Sequence, residues 1–329
     1  MTKVLITGGA GYLGGALTDI LASSDHEVRV YDCLLYEESY RKNVPFVYGD
    51  VRDHAKLQRE LDWADVVVWL AALVGDPACA LNERLTMDVN VHALAYAAEH
   101  FTGKLIVMSS CSVYGATGQH EELHEASPLS PLSLYARTKI WGEELLARRP
   151  NVLQFRLGTL YGVGDTHARI RFDLVVNTLT MRAALHRKMS VFGGQQYRPF
   201  VHVKDIAALI AQEIGTPSAG MYNAHAENCT IAELAERIHR HFPHAVVERS
   251  LTMTQDNRDY RATSVKAQRE LQFRPQRRIE DGVMELKDLL EGGRIKNSFV
   301  TRFSNYLHLK PLLAEYETPF GRVQTGVRV

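Results

Sequence analysis

Residues 3–15 read KVLITGGAGYLGG, and the order of residue types in this stretch decides the class of fold. Val4, Leu5 and Ile6 make a continuous apolar run, as expected of a parallel strand covered on both faces. Gly8, Gly11 and Gly14 follow, and from Gly11 to Ser23 the residues Leu13, Leu17, Ile20 and Leu21 recur at helical spacing. A strand that turns through glycines into a helix is built to receive a diphosphate. The first glycine permits a tight turn, the second lets the backbone approach the anion, and the third lets helix pack on strand. The helix N-terminus contributes free N–H groups and partial positive charge.

Outward from this loop, EVRVY (27–31) is a second strand ending at Asp32, 18 residues beyond Gly14. A carboxylate there accepts both hydroxyls of an adenosine ribose and repels a 2′-phosphate, so NAD is expected rather than NADP. A third strand, 46–48, leads to Gly49-Asp50-Val51, expected beside the adenine. Asp53 caps a helix through Leu61, and DVVVWL (65–70) is a fourth strand. A helix over 82–101, a strand over 104–109, a helix over 134–147 and a strand over 152–157 continue the alternation. The rhythm predicts an α/β fold, a doubly wound parallel sheet, over residues 1–160.

Beyond residue 160 the rhythm loosens. A helix over 171–186, strands at MSVFGG and YRPFVHV, and a helix over 204–214 come first. A capping box then opens at Thr230 and Glu233, and a last clear helix covers 281–290. Residues 161–290 are expected to form a smaller α/β region that binds substrate, and 291–329 an extension with weak periodicity.

The 329 residues hold 38 Lys+Arg against 38 Asp+Glu, a balance that argues against binding nucleic acid by phosphate neutralisation. No apolar run reaches the roughly 18 residues of a membrane span, and the N-terminus does not read as a secretion signal. Four cysteines without paired spacing read as reduced thiols, so a cytoplasmic enzyme is expected. His120-Glu-Glu-Leu-His124 spells a zinc-protease pattern, but it stands between a glycine loop and Ser127-Pro-Leu-Ser-Pro131. No stable helix is expected there, and no metal.

The chemistry is carried by Tyr135-Ala-Arg-Thr-Lys139, whose i, i+4 spacing puts phenol and ammonium on one helical face. A tyrosine titrates near 10 unperturbed, so acting as a base near neutrality requires a cation beside it, and Lys139 is placed to supply one. Ser110, at the end of the fifth strand, lies at the carboxyl edge of the sheet, where ligands bind.

With TGGAGYLG, Asp32, GDV, LAA at 70–72, Asn90, SSCSVYG at 109–115, YARTK and RPFVHVKDIA at 198–207, the chain resembles the extended short-chain dehydrogenase/reductases of the nucleotide-sugar epimerase/dehydratase branch, over about residues 1–290. The resemblance implies a Rossmann-type domain binding NAD through Gly8, Gly11, Tyr12, Leu13, Gly14, Asp32, Asp50, Val51, Leu70, Ala71, Ala72, Asn90, Tyr135 and Lys139. It implies Ser110, Tyr135 and Lys139 as the catalytic set. Phe192, Arg198 and Arg258 fall where relatives hold the base, pyrophosphate and ribose of a nucleotide sugar. Thr159 and Asp173 stand near positions where the 4-epimerase template carries substrate-contacting asparagines, and Arg169 or Arg171 would have to offset the Asp173 charge. A homodimer through helices near 84–101 and 134–147 is also implied.

The reaction implied is C4 epimerisation through a transient 4-keto sugar, as in UDP-galactose 4-epimerases. The Asp-Glu pair of 4,6-dehydratases is replaced by Cys111 and Ser112, which disfavours dehydration. Enzymes resembling GDP-fucose synthase carry a Cys and a His where this chain has Ser112 and Asp173, which weakens a C3/C5 epimerase/reductase. A 4-keto sugar reductase is the nearest alternative enzyme, and a non-catalytic NAD-sensing protein the alternative from another class.

Overall fold

The computed structural model describes residues 1–116, 121–167, 169–250, 258–295 and 297–315. In chain order the first half holds β1 (Lys3–Thr7), α1 (Tyr12–Leu21), β2 (Glu27–Asp32), β3 (Phe46–Tyr48), α2 (His54–Trp63), β4 (Val66–Trp69), α3 (Asp76–Cys79), α4 (Glu83–Met87), α5 (Ala93–His100), β5 (Lys104–Ser110), β6 (Glu122–Leu123), α6 (Leu134–Leu146) and β7 (Val152–Leu157). The second half holds β8 (Thr159–Tyr161), α7 (Val175–Met181), β9 (Lys188–Phe192), β10 (Tyr197–His202), α8 (Val203–Glu213), β11 (Gly220–Ala224), β12 (Glu227–Thr230), α9 (Ile231–His241), β13 (Val246–Ser250), β14 (Arg261–Ala262), α10 (Val265–Glu270), α11 (Ile279–Glu291) and α12 (Asn305–Glu315).

Seven parallel strands form the main sheet in the order β11-β7-β5-β4-β1-β2-β3. The chain winds away from β1 in both directions, so a crevice opens at the carboxyl ends of β1 and β4, where sheets of this kind bind ligands. Alternation along β1 sets the two layers: Val4 and Ile6 pack with Leu17, Ile206 and Ile210 on one face. Leu5 packs with Leu57, Leu61 and Leu94 on the other. Burial of apolar surface in these clusters, worth about 25 cal/mol per Å², favours folding.

The expected boundary at residue 160 does not describe the sheet. Every residue of β7 is buried, so it is no edge strand, and β11 pairs along it from Gly220↔Leu153 to Ala224↔Leu157. α8 packs on α1 beneath it. β11 thus completes the parallel sheet and α8 its helical layer, a pairing too distant in sequence for periodicity to reveal. The smaller region keeps β8, β10 and β12 in one sheet and β9 and β13 in another.

Two predicted helices differ in detail. The helix over 82–101 runs through a π-helical turn at Asp88–His92, between α4 and α5. The helix expected from Arg171 starts at Val175, because Arg171 and Asp173 are engaged in a turn ahead of it. The 291–329 extension contains α12, whose Leu309 is buried in the main core while Tyr306 and Leu313 pack against it. Its remaining residues, 316–329, lie outside the described residues.

Candidate active site

A cleft of about 770 Å³ runs along the carboxyl ends of the sheet strands. α1 opens on Gly11 with no side-chain cap, so the amides of its first turn are free for an anion. A Cβ at Gly8, where φ is +73°, would lie 2.6 Å from the Ala71 nitrogen, and one at Gly14 would lie 2.6 Å from the Gly8 oxygen. Only glycines allow so close an approach of strand, helix and the 70–72 segment. Asp32 accepts the amides of Ala10 at 3.0 Å and Leu34 at 2.7 Å. Burial pushes its carboxyl up, against those two hydrogen bonds. An uncapped helix end, a glycine cradle and a carboxylate at the end of β2 fit a dinucleotide, and Asp50, Val51, Leu70, Ala71, Ala72, Tyr12 and Leu13 line the same arm.

Of the residues expected at the cofactor, Asn90 alone stays out of the cleft lining. Its carboxamide oxygen accepts the Leu73 amide at 2.8 Å, and its nitrogen donates to the Leu73 carbonyl at 2.9 Å and to Thr138 at 3.3 Å. These bonds fasten Asn90 to the wall segment that carries Leu73. The π-helical turn sets it facing that segment.

At the reactive end, Ser133 caps α6 and Tyr135 and Lys139 project from its first turns, beside Ser110. Ser110 lies close enough to Tyr135 to act on its phenol, and its own hydroxyl accepts the Ser112 amide at 3.2 Å. Lys139 donates to the Met108 carbonyl at 2.8 Å, with its ammonium 5.7 Å from the Tyr135 ring centre. Burial lowers Lys139 to about 8, against the opposing pull of Cys79 and Glu143. Burial, joined by Cys79 and Asp76, pushes the Tyr135 phenol up, while Ser110 and Arg171 act to lower it. This reverses the direction expected from Lys139 alone: the ammonium is turned to a carbonyl, and desolvation governs both groups.

The substrate arm gathers Thr159, Asp173, Phe192, Arg198 and Arg258. Asp173 is paired with Arg171 through two contacts of 2.9 and 3.0 Å. Burial acts to raise its carboxyl, but Arg171 outweighs burial and holds it below the usual range. Cys111 is buried outside the lining, its thiol pushed up by burial and donating to the Arg156 carbonyl at 3.3 Å. Asp76 was not anticipated. It begins a four-residue helix with no periodicity to read, just after Gly75 at φ +102°. Its carboxylate accepts the Ser133 hydroxyl at 2.7 Å and lies 3.5 Å from Arg258.

The 120–124 pattern is not a helix: Glu122 and Leu123 form β6, paired with β14, and His120 lies outside the described residues. Among the described residues no three His, Cys, Asp or Glu side chains cluster as metal ligands, and no helix is long and apolar enough to cross a membrane.

A family model described as NAD dependent epimerase/dehydratase matches residues 4–224. UDP-glucuronic acid decarboxylase 1 of Xenopus tropicalis is 24% identical over 233 residues, 65% of this chain and 55% of that protein. The chain thus spans little more than half the length of that relative. A UDP-glucose 4-epimerase of Neisseria meningitidis serogroup C is 25% identical over 241 residues, 63% of this chain and 71% of that one. An NAD dependent NDP-hexosamine 5,6-dehydratase involved in tunicamycin biosynthesis has a solved structure similar at TM-score 0.77 and 26% identity, covering 89% of this chain and 98% of that one.

Proposed function

The chain belongs to the NAD dependent epimerase/dehydratase family, and from that premise we propose that it is a nucleotide-sugar C4 epimerase. Its cofactor, NAD, supplies a hydride acceptor and donor when bound. Tyr135 holds the proton of the sugar C4 hydroxyl while that carbon is at the ketone level, and returns it after the sugar has turned. Ser110 fixes the reacting oxygen by hydrogen bonding, and Lys139, fastened to Met108, sets the charge behind the phenol. Arg198 and Arg258 take the diphosphate and ribose, Phe192 the base, and Thr159 and Asp173 the rest of the substrate arm. Helices α5 and α6 form a homodimer contact, a reading supported by the exposed Leu132 and Leu145 beside it.

The observation that carries the reading is a Ser110–Tyr135 pair in the cleft while Cys111 and Ser112 are both absent from its lining. The two positions after Ser110 therefore offer no second acid. The test is NMR of UDP-, GDP-, dTDP- and CDP-sugars in heavy water. A C4 epimer without deuterium on carbon is expected, and a reduced or dehydrated product overturns the reading.

Asp76 favours a second reading. Its carboxylate acts electrostatically on Tyr135 and could remove the C5 proton of a 4-keto sugar and return it to the other face. Deuterium at C5, lost in Asp76→Asn, would identify this reaction.

A further inference from the structure

We infer that Arg169, presented by the C-terminal segment, anchors a diphosphate subsite between the cofactor and substrate arms of the cleft. The inference rests on the nucleotide-sugar reading but on none of its catalytic residues. Arg169 lines the cleft and is only 6% exposed. Its guanidinium donates to the Arg302 carbonyl at 2.7 Å and to the Asn305 side-chain oxygen, and it lies 3.8 Å over the Tyr36 ring. These partners are neutral. Glu37 accepts the backbone amide of Arg169 at 2.8 Å, acts on the guanidinium without a hydrogen bond to it, and meets Arg302 at 3.8 Å.

A charge so placed is costly unless something else satisfies it. Arg171, two residues on, has its charge matched by Asp173. Three guanidiniums, of Arg169, Arg171 and Arg302, face two carboxylates, of Asp173 and Glu37, so one positive charge is left over. Burial and the neighbouring Arg171 lower Arg169 to about 10, still charged near neutrality. Arg169 lines the cleft together with Tyr36, Arg171 and Asn305.

Asn305 makes this arrangement possible. It is 3% exposed, its amide donates to Asp173 at 2.9 Å, and its side-chain nitrogen donates to the Val74 carbonyl at 2.7 Å. One residue thereby ties both rims of the cleft, and His308, meeting the Leu35 carbonyl at 3.0 Å, fastens the next turn. The neutral carboxamide orients Arg169 without consuming its charge, whereas a carboxylate there would cancel it. A planar guanidinium with its charge unspent matches a phosphate oxygen pair. Arg169 lies within residues 4–224, which the family model matches, while the segment that orients it lies beyond them.

The diphosphate could be that of the nucleotide sugar or that of NAD, and two arms separate them. In one, the NAD-loaded protein is titrated with UDP, GDP and uridine by calorimetry. In the other, bound NAD is exchanged against labelled NAD. Arg169→Gln is expected to weaken nucleoside diphosphate binding at least tenfold with uridine unchanged, or to speed NAD exchange at least tenfold; the affected arm names the source. Asn305→Asp, which also gives up the donor to the Val74 carbonyl, is expected to do the same in protein that remains folded, because the new carboxylate pairs with Arg169. A purely structural Arg169 would tolerate that partner. Unchanged affinity and unchanged exchange in either folded variant overturn the subsite. A wild-type protein that binds no nucleoside diphosphate defeats the nucleotide-sugar reading separately, and the exchange arm still decides on Arg169.

Discussion

We predict that Glu143→Gln destabilises the protein by about 3–5 kcal/mol, the usual consequence of stripping a buried ion of its partner. Glu143 stands one helical turn after Lys139 on α6 and is 8% exposed; Arg156, facing it from β7, is 5% exposed. The carboxylate accepts from Arg156 at 2.9 and 2.6 Å and from the Ser109 hydroxyl at 2.5 Å. Glutamine keeps the shape but removes the charge, and its NH2 end must face a guanidinium that accepts nothing. Against a total stability of about 5–15 kcal/mol, the loss is large enough to read directly from urea midpoints. Arg156→Gln should cost a similar amount. The double variant should lose less than the sum by about 1–3 kcal/mol, since no charge is then left alone. Activity supplies a second readout. The Glu143 charge opposes the burial that brings Lys139 down to about 8. Without it, Lys139 loses its proton at lower pH and the alkaline limb of the pH–rate profile moves down. A loss under about 1 kcal/mol, or strict additivity in the cycle, would refute the argument from buried charge.

Tyr135→Phe should abolish turnover while the protein still retains NAD, measured as nucleotide released on denaturation; full activity would remove Tyr135 from the mechanism. Gly14→Ala sets a Cβ 2.6 Å from the Gly8 oxygen and should cost about 1–3 kcal/mol together with the bound NAD, seen as a lower melting temperature and nucleotide-free protein. Burial raises the Glu285 carboxyl, but His202, the Val163 amide and Lys204 outweigh burial and hold it at about 2, against 4.5 unperturbed. Its contribution is full above about 4.5 and lost as pH falls towards 2, so the gap between wild type and Glu285→Gln, about 2 kcal/mol after allowance for solvent screening, should close over that window. A gap independent of pH in urea titrations would contradict it. Sedimentation should find a dimer that Leu145→Glu dissociates.

What could be read in the sequence was short in range. The glycine loop, Asp32 and Tyr135–Lys139 each depend on neighbours within a turn or a strand, and all of them line the cleft. The parts that escaped depend on distant partners. β11 joins β7 across more than 60 residues, so its few apolar positions carried no sign of the sheet it completes. Asp76 sits on a helix too short for any period, and Asn305 begins a segment whose weak pattern concealed Leu309 in the core and a contact reaching Val74. The direction of the Tyr135 shift was misjudged for a related reason. Spacing shows that a lysine is near, but neither how deeply both groups are buried nor that the ammonium turns to Met108.

The distribution of charge along the cleft bears on the proposed inversion. Burial acts to raise the Tyr135 phenol and brings Lys139 down to about 8, which leaves the ammonium mostly charged near neutrality, while the Asp76 carboxylate is matched by Arg258 at 3.5 Å. The surplus cation lies away at Arg169, with Arg171 balanced by Asp173. A nucleotide sugar entering such a field is oriented by its diphosphate, which the arginines hold. The sugar is then left with few charged contacts near Tyr135. A ring gripped through its diphosphate and only lightly held itself can swing to offer its other face, which a C4 epimerase requires between proton removal and return. A site that clamped the sugar through several ion pairs would bind it more tightly and forbid the turn.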